Sequence, residues 1–454
     1  MLRLAAPLAL SELGWLSMNF VDTIAVGHLP NSAIAIGAVS VGTILFYCIA
    51  IFGSNLLLGL DTMVSQAYGA GRLQECHRNL FNAIYLTLAL SPPMIILILV
   101  SLPLLQRMGM DPLVVQTTIP FVKALTWSTL PLALYFALRR YLQAMGIVKP
   151  VVFTLVSANV VNLLGNWVFV YGHLGLRSFG VTGSGWSTFV SRVYMVAFLA
   201  GAVLYYDRKR SSGLWLASRR VEIARLRELL RLGLPAAVQF LLEISAFTAA
   251  TVLIARLGAL PLAGHQIALS VAGLTFMIPL GISSAAAVRV GHAIGAKDIS
   301  GAIRSGWMAI IFSIAFECCS ALVLLCFPKA IARIYSSDLL VIHAGALLLL
   351  IAGVFQLFDG LQVTIAGALR GAGNTRTPMI VHLFGYWIIG LPIGVVLCFK
   401  SGWGAIGLWI GLCVGLILIG SILVFAWMKM IRQLTSTDAS FQFVTAATET
   451  FLNR

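Results

Sequence analysis

The amino-acid sequence predicts an all-α integral membrane protein with twelve transmembrane helices, built as two related six-helix bundles. Three observations support this fold class. Apolar stretches of membrane-spanning length recur along the whole chain, basic residues are unevenly shared between the segments that join them, and the second half of the chain repeats the first. Together these observations exclude a soluble globular protein.

The composition is that of a membrane protein. Of the 454 residues, 60% are hydrophobic and only 10% are charged, and the mean hydropathy is +0.97. A soluble protein of this size would carry far more surface charge. Each apolar stretch has roughly 20 residues or more, enough to cross ~30 Å of hydrocarbon. The predicted spans are residues 4–27, 36–64, 84–105, 118–142, 150–172, 183–206, 231–257, 263–290, 306–327, 341–369, 377–399 and 404–428.

The basic residues predict the orientation of the chain. The formal net charge is +15, and with a cytoplasmic N-terminus the inner segments hold about three times as many Lys and Arg as the outer ones. We therefore expect a multi-pass protein of the cell (inner) membrane with both termini in the cytoplasm. The charge orients the chain in the lipid bilayer, so no nucleic-acid partner is predicted. The seven scattered cysteines are interpreted as packing residues.

An internal repeat relates the two halves. Residues 3–7 match residues 231–235 at an offset of 228, and Lys149-Pro150 matches Thr377-Pro378 at the same offset. Because six helices are an even number, both copies have the same orientation across the membrane. The halves are then related by a pseudo-two-fold axis along the membrane normal, with a central cleft typical of transporters.

The repeat and the basic segment near the middle of the chain predict the domain boundaries. They are an N-terminal lobe at 1–206, a cytoplasmic basic linker at 207–230, a C-terminal lobe at 231–430 and a cytoplasmic tail at 431–454.

Several of the fifteen acidic residues lie inside or beside predicted spans. A carboxylate at mid-membrane costs about 2.5–3.5 kcal/mol, so such residues serve an ion, a proton or a substrate, or are kept neutral in a helix interface. A structural role is favoured for Glu12 near the cytoplasmic end, for Asp61 beside loop arginines, and for Glu317, which has few polar neighbours. Asp22, Glu243 and Asp359 remain as functional candidates.

Helical spacing places amides beside these three carboxylates. On the first helix Asn19 and Asp22 share a face, and Gln239 lies one turn from Glu243 on the seventh helix. Three asparagines share a face of the fifth helix: Asn159, Asn162 and Asn166. Three residues at three-residue steps form a stripe on the tenth helix: Gln356, Asp359 and Gln362. Such stripes predict a wet cavity, in which carboxylate and amide oxygens suit Na⁺ and a protonated carboxyl carries H⁺.

Three other polar residues within spans are less informative. His265 and His382 could shuttle protons, but a helix-packing role is favoured for both. Arg192 has no assigned role; pairing with a carboxylate and a position at the cytoplasmic end of the cleft both remain open.

Several short motifs follow one another along essentially the whole chain. The first is Val21-Asp22-Thr23-Ile24-Ala25-Val26-Gly27 on the first helix, and the others are at 65–71, 263–268, 288–292 with 295–296, and 367–371. In this order the motifs resemble the multidrug and toxic compound extrusion (MATE) family, and Glu243 and Asp359 resemble its NorM-type branch.

The resemblance implies a secondary active antiporter, and not an enzyme, that works by alternating access. It would export small organic cations, namely cationic amphipathic drugs or toxic compounds, in exchange for Na⁺ or H⁺, as a monomer without a cofactor. Asp22 would be the coupling carboxylate of the first half, with three polar partners: Asn162, Asn166 and Thr188. Glu243 and Asp359 would form the cation site of the second half, supported by Gln239, Gln356 and Gln362. The candidate Na⁺ sites are thus Glu243 with Asp359, and Asp22 with Asn162 and Asn166.

Two features distinguish this chain. Phe355 stands one turn before Asp359, where NorM-type proteins can have a tyrosine, so a hydroxyl ligand is absent. The carboxylates are also not duplicated, since the 228 offset carries Asp22 to Ala250 and Glu243 back to Trp15. Each half therefore has its own polar site.

Two other classes are weighed against this function. A flippase of a lipid-linked precursor would use the same two-lobed architecture, but its cavity should be strongly cationic, whereas the charges within these spans are mostly acidic. A channel or receptor is disfavoured by the repeat. No Walker-type loop is present in the sequence, so ATP is not expected to drive transport.

Overall fold

The structure is a computed structural model that describes residues 1–107 and 111–452, except for the side chains of residues 2, 3, 16 and 437–452. The chain is 88% helical, and the described residues contain no strand. The prediction of an all-α protein is confirmed. The side chain of Arg3, which belongs to the first repeat, lies outside the described part of the structure. So does most of the predicted tail, residues 437–454.

The chain divides into two compact units, Ala6–Ala237 and Met1–Ala5 with Val238–Arg454. The first unit, here called the N-lobe, contains six spans. Its helices are α1 (Leu2–Gly27), α2 (Ser32–Asn55), α3 (Gly59–Gly69), α4 (Leu73–Arg107), α5 (Pro112–Thr126), α6 (Thr129–Ala144), α7 (Lys149–Phe169) and α8 (Val181–Arg210). A short 3₁₀ turn, Leu56–Leu58, joins α2 to α3, so that the two form one span.

The second unit, here called the C-lobe, also contains six spans, and the division between the units falls within α9. Its helices are α9 (Ile223–Ala255), α10 (Ala259–Gly295), α11 (Ile299–Cys326), α12 (Pro328–Tyr335), α13 (Leu339–Gly371), α14 (Arg376–His382), α15 (Leu391–Val395) and α16 (Gly404–Leu452). The π-helical stretch Leu383–Gly390 joins α14 to α15, and a second one, Val396–Lys400, follows α15. Together they form the span Arg376–Lys400.

The number of spans agrees with the prediction. Eleven helices among the described residues are long and apolar enough to cross a membrane, and the bent pair α5 and α6 makes a twelfth. The 47° bend lies just before Pro131. Proline lacks the N–H that would bond the carbonyl of Trp127 four residues earlier, which explains the break. The sequence predicted a single span here, residues 118–142, and gave no indication of the bend.

Large apolar side chains cover the outer faces of the helices. Phe20 on α1 is 65% exposed and Phe425 on α16 is 63% exposed, although both lie within spans. In water such surfaces would aggregate, but in hydrocarbon they are solvated. All seven cysteines are free, and three of them are buried, as packing residues are: Cys76, Cys398 and Cys413.

The segment between α8 and α9 is attached to α4. The hydroxyl of Tyr85 donates to the carbonyl of Arg219 at 2.6 Å, and the Asn82 side-chain oxygen accepts from the backbone N–H of Glu222 at 2.8 Å. The segment predicted as a linker, 207–230, is therefore ordered on the N-lobe.

Glycines let α16 approach the neighbouring α14–α15 span closely. A Cβ added to Gly411 would lie 2.3 Å from the backbone nitrogen of Gly394, far inside van der Waals contact. Small residues at helix interfaces allow such close backbone contact in membranes.

Replacing Gly411 by Ala is therefore expected to destabilise the C-lobe by about 1–3 kcal/mol, the usual cost of overpacking. The measurement is the thermal unfolding midpoint of the purified protein in one detergent. Gly201→Ala is the matched control, because a Cβ at Gly201 on α8 meets nothing within 4 Å. Equal midpoints for the two variants would contradict the packing argument.

Candidate functional site

The N-lobe holds a buried polar cluster around Asp22, which is 8% exposed. Asn166 on α7 donates to one carboxylate oxygen of Asp22 at 2.8 Å, and the hydroxyl of Thr188 on α8 donates to the other at 2.9 Å. The carboxylate thus joins three helices. The structure brings these three sequence-predicted residues into direct contact.

Asn162 extends this cluster along α7. The Asn166 amide also donates to the Asn162 side-chain oxygen at 3.2 Å, and Ser187 donates to the Asn162 carbonyl at 2.7 Å. The side-chain oxygen of Asn166 is buried and has no hydrogen-bond partner among the described residues, and the Ser184 hydroxyl faces the Asp22 carboxylate. Buried acceptors without a partner are costly, so the cluster has capacity for a cation or a proton donor.

Arg192 is buried in the same lobe, one helical turn beyond Thr188. Its guanidinium donates to the hydroxyl of Ser128, at the break between α5 and α6, and to the hydroxyl of Tyr47 at 3.3 Å. The guanidinium carbon lies 4.9 Å from the centroid of the Phe46 ring, a cation–π distance. No carboxylate of the described residues forms a salt bridge with it. Of the two alternatives raised by the sequence, direct pairing with a carboxylate is therefore not observed.

The C-lobe cluster is built around one glutamine. The Gln362 amide nitrogen lies 3.1 Å from an oxygen of Glu243 on α9 and 3.2 Å from an oxygen of Asp359. A single amide group therefore bridges two carboxylates from different helices, and all three side chains are buried. Two acidic groups held this close favour the binding of a shared cation or proton.

His382 lies on the other side of Gln362. Its Nε2 is 2.8 Å from the Gln362 side-chain oxygen and 4.0 Å from Glu243, and the Gln239 side-chain nitrogen is 3.4 Å away. The other ring nitrogen contacts the Pro378 carbonyl at 2.7 Å. His382 is thus part of the polar cluster, which its interpretation as a helix-packing residue did not anticipate.

Gln356 is not brought into this cluster. Its side chain hydrogen-bonds Ser320 on α11, at 2.7 Å, and Thr275 on α10. Phe355 is buried between the rings of Phe247 and Trp409, with centroid distances of 5.8 Å. The predicted polar stripe on α13 is therefore divided. Asp359 and Gln362 belong to the cluster, whereas Gln356 hydrogen-bonds the neighbouring helices α10 and α11.

Of the three remaining carboxylates, Glu12 and Asp61 lie outside both clusters, whereas Glu317 packs beside Gly360, the chain neighbour of Asp359. Glu12 pairs with Arg139, and Asp61 pairs with Arg140 at 3.3 Å. Glu12 is buried, with 8% of it exposed, in agreement with the structural role favoured by the sequence. Glu317 is buried against α13, where a Cβ at Gly360 would meet its side chain at 2.5 Å.

Neither cluster resembles a transition-metal site. The described residues contain no group of three or more His, Cys, Asp or Glu placed to hold a metal ion. Carboxylate and amide oxygens are instead the ligands of hard cations. An oxygen of Glu243 is buried without a hydrogen-bond partner among the described residues, so the donor set of the C-lobe cluster fits Na⁺ or H⁺.

Comparison with known proteins identifies the family. The MatE family profile matches residues 7–168 and again residues 235–396. The chain belongs to the MATE family. The two matches begin 228 residues apart, which is the offset of the repeat in the sequence. The family consists of membrane transporters, so the prediction that the chain is not an enzyme is confirmed.

Relatives within the MATE family carry the name NorM. A probable multidrug resistance protein NorM from Mesorhizobium japonicum is 34% identical over 441 residues, covering 95% of this chain and 93% of the relative. Another with the same name from Xanthomonas axonopodis pv. citri is 35% identical over 437 residues, covering 96% and 94%. These matches confirm the resemblance to the NorM-type branch.

The fold is shared with solved MATE structures. The eukaryotic MATE transporter AtDTX14 superposes with a TM-score of 0.84 at 22% identity, covering 96% of this chain and 97% of that one. At this identity the likeness supports the fold alone.

Some residues of the two clusters were not identified as site residues from the sequence. Ser184 and Ser187 do not stand out among the small polar residues of α8 by their spacing. From the sequence alone, Tyr386 looks like an aromatic residue that packs between helices. Its hydroxyl is nevertheless buried without a hydrogen-bond partner among the described residues. The only usable signal was the spacing of Tyr386 one turn after His382.

Proposed function

We propose that the protein is a secondary active antiporter that exports cationic amphipathic organic molecules in exchange for Na⁺ or H⁺. The observation that carries this proposal is the pair Glu243 and Asp359, held by the single amide nitrogen of Gln362 at 3.1 and 3.2 Å. Two carboxylates so placed in a membrane protein attract cations strongly and release them on neutralisation.

The mechanism is competition between ion and drug in an alternating-access cycle. When Asp22, Glu243 and Asp359 are deprotonated they attract an organic cation, and binding of Na⁺ or H⁺ neutralises them and weakens their hold on it. The ion gradient and the membrane potential then bias the cycle. One charge crossing the membrane is worth roughly 2.3 kcal/mol per 100 mV.

Supporting roles are proposed for the polar partners. Gln362 fixes the distance between the two carboxylates, and Gln239 contacts His382 beside them. In the N-lobe, Asn162, Asn166 and Thr188 fix the carboxylate of Asp22. Gln356 ties α13 to its neighbours and so acts at a distance from the carboxylates.

The relatives support the substrate class, since both compared proteins are named probable multidrug resistance proteins. We also propose that the chain acts as a monomer in the cell (inner) membrane with both termini in the cytoplasm, without a cofactor. The domain boundaries at 206, 230 and 430 belong to the same proposal.

The proposed function is tested by ethidium efflux from a drug-hypersensitive bacterial strain, with Na⁺ and pH gradients imposed separately. Efflux that follows one of the two gradients supports antiport and identifies the coupling ion. Efflux that ignores both gradients would contradict antiport. Translocation of a fluorescent lipid-linked precursor without ethidium efflux would support the flippase alternative instead.

A further inference from the structure

The segment between α8 and α9, residues 211–222, has a buried side and an exposed side. Leu214 belongs to the hydrophobic core of the N-lobe, and Ser212 and Ala217 are also buried. Four apolar side chains on the other side are exposed, the last of them being the first residue of α9: Trp215 by 58%, Leu216 by 84%, Val221 by 58% and Ile223 by 78%. An exposed apolar surface of this kind indicates contact with a partner or with lipid.

Hydrogen bonds hold this α8–α9 segment along the first turns of α4. The side chain of Gln74 donates to the Gly213 carbonyl at 3.3 Å, and the Tyr85 hydroxyl donates to the Arg219 carbonyl at 2.6 Å. A rise of about 1.5 Å per residue puts Tyr85 roughly 16 Å further along α4 than Gln74. The span predicted from the sequence begins at residue 84. The α8–α9 segment therefore reaches the level at which α4 enters the apolar part of the bilayer.

The α8–α9 segment and the end of α8 carry an excess of positive charge. Asp207 accepts from the Ser212 hydroxyl at 2.6 Å and from the backbone N–H of Leu214 at 2.8 Å, and Glu222 pairs with Arg225 at 2.6 Å. Both acidic residues of this stretch are thus engaged in contacts of their own. Among the described residues, no salt bridge involves four exposed basic side chains of the same stretch: Arg208, Lys209, Arg219 and Arg220.

Two of these cations lie over exposed aromatic rings. The guanidinium carbon of Arg219 is 4.5 Å from the centroid of the Trp215 ring, and Nζ of Lys209 is 5.8 Å from the centroid of the Tyr205 ring, which is 59% exposed. Trp and Tyr are enriched where a membrane protein passes from hydrocarbon to headgroups, and Lys and Arg extend from the same level into the headgroup layer. Apolar, aromatic and basic side chains together on one surface are typical of a segment that lies in this layer.

We propose that the α8–α9 segment is a docking surface for anionic phospholipid. Its four exposed apolar side chains enter the boundary between headgroups and acyl chains, and Arg219 and Arg220 contact the headgroup phosphates. In the proposed orientation the segment faces the cytoplasmic leaflet, whose surface is negatively charged. Each basic residue beside such a surface raises the affinity by roughly fivefold. This inference goes beyond the proposed function and does not depend on ion coupling.

The test is quenching of Trp215 fluorescence by brominated lipids in nanodiscs that contain the purified full chain. The contribution of Trp215 is the difference between the wild type and Trp215→Phe. Brominated phosphatidylglycerol should quench it at a mole fraction at least about fivefold lower than brominated phosphatidylcholine does. Both leaflets of a nanodisc have the same composition, so the result depends neither on the orientation of the chain nor on transport.

Substitutions of the two arginines test the role of charge. Arg219→Gln with Arg220→Gln should remove the preference for phosphatidylglycerol, and Arg219→Lys with Arg220→Lys, which keeps both charges, should retain it. The contact with Tyr85 uses the backbone carbonyl of Arg219, so neither pair of substitutions removes that hydrogen bond. The matched control is Arg107→Gln with Arg177→Gln, two exposed arginines of the N-lobe that the predicted order of spans puts on the opposite membrane face. The control should leave the preference unchanged.

Three results would overturn the proposal. The first is equal quenching of Trp215 by the two lipids, and the second is a preference that survives Arg219→Gln with Arg220→Gln or is lost equally in the control. The third is an absence of quenching by either lipid, which would indicate water or a protein partner at this surface. A failure of the proposed antiport is seen separately, in the efflux measurement, and leaves all of these quenching results intact.

Discussion

Replacing Asp359 by Asn is expected to abolish exchange of an organic cation for the coupling ion. Asn keeps the size of the side chain and can still contact Gln362, but it removes one of the two charges that Gln362 holds together. Only Glu243 is then left to be neutralised, so ion binding changes the attraction of the site for the drug too little to couple the two. The measurement is ethidium exchange in everted membrane vesicles, which should fall to the level of vesicles that lack the protein.

Asp298→Asn is the matched control for this substitution. Asp298 is exposed at the start of α11, where its carboxylate accepts from the backbone N–H of Gly301 at 2.8 Å. That hydrogen bond lowers the pKa of Asp298, and its role is helix capping. Because Asn also caps helices, exchange should stay near the wild-type rate. Unchanged exchange in Asp359→Asn would remove Asp359 from the coupling site.

Replacing Glu12 by Gln is expected to destabilise the N-lobe by about 3–5 kcal/mol, the usual cost of leaving one partner of a buried ion pair without its counter-charge. Arg139 is only 1% exposed and would be left charged in the interior beside Ser11 and Tyr135. Thermal unfolding of the purified protein, at one detergent and salt concentration, measures the loss.

The control is the exposed pair of Glu228 and Arg231, whose side chains are 44% and 63% exposed. Glu228→Gln should change the free energy of unfolding by no more than about 1 kcal/mol, since solvent screens surface pairs. The double variant of Glu12→Gln with Arg139→Gln should recover part of the lost stability. Equal stability of Glu12→Gln and Glu228→Gln would show that the buried pair is not needed.

The helices were predictable because the membrane imposes a length on every span. Each predicted span overlaps one described span, and most described spans extend further at one or both ends than the predicted ones. The α5–α6 bend was missed because hydropathy carries no signal for a proline that breaks a continuous apolar run. The π-helical stretches before and after α15 were not predicted either, because the spacing of apolar residues does not reveal them.

The site was predictable only along single helices. Spacing correctly placed Asn162 and Asn166 on one face. The stripe on α13 divided because steps of three residues rotate by about 60° each, so Gln356 and Gln362 point about 120° apart. Contacts between helices, such as His382 with Gln362, depend on packing that no local pattern encodes. Arg192 shows the same limit, since its neighbours Phe46 and Ser128 lie on α2 and at the α5–α6 break.

The central claim is that movement of an organic cation is coupled to an opposing ion gradient. Purified protein in liposomes, loaded with tetraphenylphosphonium and given a Na⁺ or H⁺ gradient at a clamped potential, tests it most directly. Antiport predicts that the gradient moves tetraphenylphosphonium against its own concentration gradient, and that an ionophore for the coupling ion stops this movement. Movement that only ever equilibrates tetraphenylphosphonium, with either gradient present or collapsed, would contradict the claim.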